Sequence, residues 1–189
     1  MRARYSPFTL NAVWFLILLN LLVFVLTLVR PEALYFLGLT PAYVLHRPWT
    51  ILTSLFVHGG FGHIICNMIS LYFLGSFLFR LVREGKFLIT YFLGGIAGNI
   101  LYILLAPPLS IAIGASGAIF ALGGTLVLIA PSLRVFVFPI PIPIPLWTAI
   151  ALFLLISFLP GIAWQAHLGG LLLGLAAGYY FKRKRTYFY

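Results

Sequence analysis

Aspartate is absent from the 189-residue sequence, and only two carboxylate side chains occur, Glu32 and Glu84. Neither lies inside a long apolar run. Chemistry that needs two carboxylates at membrane depth, such as an aspartyl intramembrane protease or an Asp-based proton relay, is all but excluded. Cysteine occurs once, as Cys66, so no intrachain disulfide forms and no CxxC metal motif exists. Charge is scarce: 7% of residues are charged, against about 25% in an ordinary soluble domain. No long internal repeat is visible, which disfavours an inverted-repeat transporter.

What is present is apolar. With 63% hydrophobic residues, the chain cannot cover a globular surface with polar groups, so its solvent is largely lipid. The formal charge of +10 could suggest nucleic acid, but its placement points elsewhere. Lys182, Arg183, Lys184 and Arg185 follow directly on an apolar run. That is where a basic cytoplasmic tail, here residues 182–189, contacts anionic lipid headgroups. No nucleic-acid partner is expected.

Six apolar stretches are long enough, or nearly so, to be spans: about 10–29, 62–79, 87–106, 116–130, 146–159 and 164–181. The first reads as a retained span rather than a secretory leader, because no A-x-A-like cleavage site follows it. Mid-span Asn20 is expected to make an interhelical hydrogen bond. Residues 30–60 are too broken by Pro31, Gly38, Pro41 and Pro48 to span, and too aromatic to lie free in water. They are expected to rest in the membrane interface. Alternating Pro139, Pro141, Pro143 and Pro145 forbid a helix and favour extended geometry, so that stretch is a connector.

Six spans place both termini on one side. Ten of the twelve basic residues then fall on that side, with only Arg30 and Arg47 opposite. The positive-inside rule makes that side cytoplasmic. The expected fold is therefore all-α, a bundle of six transmembrane helices with an interfacial loop between the first two. With no organelle targeting visible, a prokaryotic plasma membrane is expected.

This topology gives depth to the polar residues. His63 and Asn67 lie in the outer half of the second span, Ser116 starts the fourth, and His167 lies near the start of the sixth. Histidine inside a membrane span is costly and rare, so it points to function. A serine hydroxyl is a weak nucleophile that needs an adjacent base, and His167 is at the right depth to be one. With no aspartate available, the expected site is a Ser–His dyad. His63 and Asn67 are four residues apart and share one helix face. Together with the Ser116 N–H at a helix N-terminus they suit an oxyanion hole. Gly114 and Gly117 flank the serine and permit an awkward turn. Gly170, Gly174 and Gly178 recur every fourth residue and permit close helix approach.

These residues carry a resemblance. Gly114-Ala115-Ser116-Gly117, the run His58-x4-His63-x3-Asn67, and Ala166-His167 followed by Gly170 and Gly174 resemble the motifs of the rhomboid family of intramembrane serine proteases. Trp49, Thr53 and Phe56 sit where that family's first loop leads into its second span. The resemblance runs from about residue 10 to 181, as the six-helix core form. It implies Ser116 as nucleophile, His167 as general base, His63, Asn67 and the Ser116 amide around the oxyanion, and His58 as a structural loop residue. It implies that the fifth helix and the cap after it, about residues 159–163, gate lateral access. It also implies single-span transmembrane substrates cut near the outer face, with small residues at the scissile bond, and no metal or cofactor. Two positions depart from the pattern. Phe79 stands where the family often has a glutamate, and Glu84, five residues on, is not an evident substitute. Phe120 stands where many members stack a tyrosine on the base. Relatives that have lost the serine or histidine are non-proteolytic binders. A binding protein of that kind, or a small transporter, is the competing expectation.

Overall fold

The computed structural model describes residues 11–184. Arg2, Arg4, Arg185 and the expected start of the first span at Leu10 lie outside the described residues.

Nine α-helices follow in order among the described residues: α1 (Ala12–Val29), α2 (Glu32–Leu37), α3 (Thr50–Thr53), α4 (Phe61–Ser70), α5 (Ser76–Val82), α6 (Glu84–Leu105), α7 (Ser116–Ile129), α8 (Leu146–Ile156) and α9 (Trp164–Lys184). Between α7 and α8 lie two short strands, β1 (Arg134–Val135) and β2 (Ile144–Pro145). Asn11 sets the start of α1, its side-chain oxygen accepting from the N–H of Val13 at 3.0 Å and of Trp14 at 3.2 Å. Helices α4 and α5 are one rod, Phe61–Val82, joined through a π-helical turn at Leu71–Gly75.

Three helices are long and apolar enough to cross a bilayer: α1, the Phe61–Val82 rod and α6. Their outward faces carry large apolar side chains such as Phe15, Leu22, Val29, Phe73 and Leu104. Without a polar shell these faces belong against lipid, and the protein is an integral membrane protein. Helices α7 and α8 are apolar but shorter, at 14 and 11 residues. Helix α9 has 21 residues and places Gln165 and His167 in its first turn.

The centre of the bundle is α7, in which eleven of 14 residues are buried. Lipid tails are as apolar as leucine, so helices associate here by close packing rather than by escape from water. Small residues make that packing possible. A side chain on Gly170 would strike the Gly117 carbonyl, one on Gly174 would strike Ala121, and one on Gly178 would strike Thr125. The constant offset along the two chains means that α7 and α9 run parallel in direct backbone contact. Thr125 Oγ1 adds a hydrogen bond to the Gly174 carbonyl at 2.9 Å. Helix α6 closes the trio, with Gly98 against Ala166 and Gly94 against Ala121.

Asn20 is wholly buried, but its amide donates to Leu16 of its own helix at 2.7 Å. Its side chain also meets the buried Tyr91 hydroxyl of α6, so the expected contact across the bundle stands beside the back-bond.

Residues 30–60 fold into short helical turns with exposed Tyr35, Phe36, Tyr43, Leu45 and Trp49. Side chains tie these turns together. Trp49 Nε1 donates to the Phe36 carbonyl at 3.0 Å, and Thr53 Oγ1 to the Leu37 carbonyl at 2.7 Å. A bridge between Leu39 and Ala112 fastens the segment to the loop before α7.

Candidate active site

Ser116 is the first residue of α7, where helical N–H groups lack intrahelical partners and the dipole is positive. The turn that delivers it passes through Gly114 at φ 121°, a conformation that L side chains rarely adopt. A Cβ there would also lie 2.7 Å from His63 Nε2. Glycine is thus required at residue 114 for both backbone and space. From the same point Ser116 Oγ is 3.7 Å away, so the His63 ring edge and the serine hydroxyl border one small volume.

His167 sits in the first turn of α9, and the Gly170–Gly117 contact holds that turn against the start of α7. Its Nε2 lies 2.7 Å from Ser116 Oγ. With the hydroxyl as donor and the imidazole nitrogen as acceptor, the arrangement a general base requires, the ring proton sits on Nδ1. That Nδ1 is buried with no hydrogen-bond partner among the described residues, so no acid orients the ring from behind. Packing does so instead. Phe120, one turn after the serine, stacks on the imidazole with centroids 4.6 Å apart and planes at 23°. Such a stack is worth about 0.5–1.5 kcal/mol beyond area burial. Phe120→Leu is therefore expected to lower kcat by up to about tenfold while leaving the fold intact. Phe120→Tyr is expected to keep the rate, and a rate unchanged in both variants would remove the ring from the site.

His63 belongs to the first turn of α4, and its Nδ1 accepts a long bond from the Gly59 N–H at 3.5 Å. That leaves Nε2 as the protonated nitrogen, aimed at the volume beside Gly114. Asn67 lies one turn further on. Its Nδ2 donates to the His63 carbonyl at 2.9 Å, and its oxygen is buried without a partner. The structure thus brings Ser116, His167, His63 and Phe120 together. No hydrogen bond links Asn67 to Ser116 or His167 among the described residues.

His58 is buried in the loop before α4, with its Nδ1 3.3 Å from the Phe56 carbonyl and its ring edge against His63. Burial, reinforced by the neighbouring His63, lowers its pKa from 6.5 to about 4. The unfolded chain takes a proton near 6.5, whereas the folded protein resists it down to about 4. Stability contributed by neutral His58 is present above that window and is lost as pH falls through it. The thermal midpoint in detergent is expected to drop between pH 6.5 and 4, with a shallower drop in His58→Gln.

Two residues escaped the sequence reading. Asn99 of α6 donates from Nδ2 to the Ile51 carbonyl at 2.7 Å and to Ser54 Oγ at 2.9 Å. Ser54 in turn accepts the Gly114 N–H on its carbonyl at 2.9 Å. This relay fixes the turn that presents Ser116. Its only sequence signal is a polar residue in an otherwise apolar helix.

Residues 45–184 match the Rhomboid domain. RHOMBOID-like protein 1 of Arabidopsis thaliana is 32% identical over 76% of this chain and 37% of its own length. The Bacillus subtilis (strain 168) rhomboid relative YdcA is 30% identical over 72% of this chain and 69% of its own. Rhomboid protease GluP of the same organism is 37% identical over 46% of this chain and 17% of its own. The chain spans between a third and just over two fifths of the length of the Arabidopsis relatives RHOMBOID-like proteins 1, 2 and 4.

Proposed function

Since the chain belongs to the rhomboid family, we propose that it is an intramembrane serine endopeptidase working through a Ser116–His167 dyad. The 2.7 Å contact between Ser116 Oγ and His167 Nε2 carries this reading. His167 takes the hydroxyl proton as Ser116 Oγ attacks the scissile carbonyl. The oxyanion forms against the Ser116 N–H, with His63 Nε2–H and the Asn67 amide as further donors. The imidazolium has no carboxylate behind it, and the Phe120 ring face offers it cation–π stabilisation instead. Collapse of the tetrahedral adduct expels the amine, which takes the proton from His167 and leaves an acyl-Ser116. Water, deprotonated by the same histidine, then hydrolyses the ester and restores the hydroxyl.

The same reading sets six crossings, with both termini cytoplasmic and Ser116 near the outer face of a prokaryotic plasma membrane. Its substrates are single-span transmembrane proteins, and its basic tail meets anionic lipid. A donor aimed at a developing oxyanion is worth about 10²–10³ in kcat. His63→Ala is expected to lose that much. Asn67→Ala is expected to lose less, because its amide already serves the His63 carbonyl. Equal losses in the two variants would remove that ranking.

The test is reaction with a fluorophosphonate, scored by mass at Ser116, together with cleavage of a single-span substrate in vesicles. Purified protein that cleaves nothing and is never labelled would end the reading. A non-proteolytic binder or small transporter predicts that Ser116→Ala leaves function intact.

A further inference from the structure

We propose that residues 133–146 form a lipid anchor, a hairpin whose Phe136, Phe138 and Ile142 side chains insert into the leaflet opposite the Ser116 end. The proposal does not depend on proteolysis.

The first observation is a pattern that makes no sense in water. Leu133 and Val135 pack against the bundle core. The alternate residues Phe136 and Phe138 point outward and are 75% and 96% exposed. A hairpin on an aqueous face alternates apolar-in with polar-out. Here both faces are apolar beyond Arg134, and Ile142 on the returning arm is exposed too.

The second observation concerns the backbone. An extended arm entering lipid normally carries a ruinous row of unpaired N–H groups. In this arm Pro139, Pro141, Pro143 and Pro145 have none. Of the three donors left on this arm, Ile140 N–H bonds the Val137 carbonyl at 2.7 Å and Ile144 faces Val135 in the antiparallel ladder, which leaves Ile142 N–H as the one outside these bonds. At the base, Leu146 N–H donates to the Leu133 carbonyl at 2.9 Å. Arg134 closes the hairpin through Nε and Nη2 on the Pro143 carbonyl, at 3.1 and 2.7 Å. The proline alternation strips donors from a segment that has no strand neighbour beyond its own partner.

The third observation is level and continuity. Helix α7 runs parallel to α9, with Thr125 against Gly178. Four residues further along each helix stand Ile129, the last residue of α7, and Lys182, the first of the exposed cations. The hairpin therefore leaves the bundle at the depth where those cations meet headgroups. It leads straight into exposed Trp147 and the apolar outer face of α8, including Phe153 and Leu155. The outward phenylalanines thus extend a surface that already faces acyl chains.

The experiment uses the full chain in phosphatidylethanolamine–phosphatidylglycerol vesicles. Cys66, the lone and exposed cysteine, is replaced in Cys66→Ser. An environment-sensitive fluorophore is then attached at Phe138→Cys, and separately at Ile142→Cys. Both side chains are exposed, so labelling leaves the core untouched. Elution volume and thermal midpoint equal to those of the unlabelled protein qualify each sample. Lipids with brominated acyl chains are expected to remove most of the emission, and aqueous iodide to leave it unchanged. Quenching by iodide without quenching by brominated lipid places the hairpin in water and overturns the proposal. Shielding from both quenchers, with disulfide formation between Phe138→Cys chains, makes the cover a second copy and overturns it equally.

Discussion

Ser116→Ala is expected to cut turnover to a small remnant, His167→Ala to do the same, and the double variant to lose no more than either single one. The reason is geometric. The two side chains share one hydrogen bond of 2.7 Å, and the proposed mechanism uses them as a unit. Without the imidazole the hydroxyl keeps its proton at neutral pH, and without the hydroxyl the imidazole has nothing to activate. Losses from residues that act as a unit are grossly non-additive, each single loss being on the order of 10⁴-fold or more in kcat. Some catalysis over water survives, because the oxyanion donors and the bound geometry are untouched. The measurement is kcat on a reconstituted single-span substrate for the two singles and the double. Multiplying losses would mean that serine and histidine act in separate steps, and the dyad reading would fail.

Gly170→Ala is expected to have the next largest effect, although residue 170 touches no substrate. Its added methyl would overlap the Gly117 carbonyl, a backbone atom that cannot rotate away. Helix α9 must then slide or tilt from α7, and His167, one turn earlier, moves with it. Over-packing of this kind costs about 1–3 kcal/mol. A displacement of about 1 Å at the reacting atoms costs on the order of 10²-fold in rate. The distinguishing result is a fall in kcat larger than the fall in folded fraction, measured by thermal unfolding at the assay temperature. Gly178→Ala meets Thr125 by the same kind of contact but far from the site. It is expected to lower stability while sparing kcat in the folded fraction. Equal kinetic damage from both would deny that the contact at residue 170 positions the base.

Most of the candidate site was legible because its residues are out of place. A histidine in an apolar run has few innocent explanations, so His63 and His167 stood out. The odd serine between glycines in Gly114–Gly117 stood out for the same reason. The small-residue spacing of Gly170, Gly174 and Gly178 also told its own story, since only close backbone approach requires it. What stayed hidden has a physical cause in each case. Asn99 and Ser54 look like helix glue until a three-dimensional path joins them to Gly114. Asn20 was assigned a contact across the bundle, which Tyr91 supplies, but sequence could not show that its amide also turns back on its own helix. The alternating prolines announced extended chain but not its pairing. The antiparallel register depends on Arg134 and Val135, which lie eleven and nine residues from their partners on the other arm.

The direct backbone contact between α7 and α9 means that the gap between hydroxyl and imidazole is gauged by main-chain atoms. Side chains at a helix interface hop between rotamers as temperature or surroundings change, whereas a glycine against a carbonyl has no such freedom. A shift in bilayer composition can therefore rearrange the outer, side-chain-rich faces of the bundle and leave that gap where it was. Such a shift should act on how readily a substrate helix arrives, and so on KM. Once the substrate is seated, the rate of bond cleavage should travel unchanged from one membrane to another.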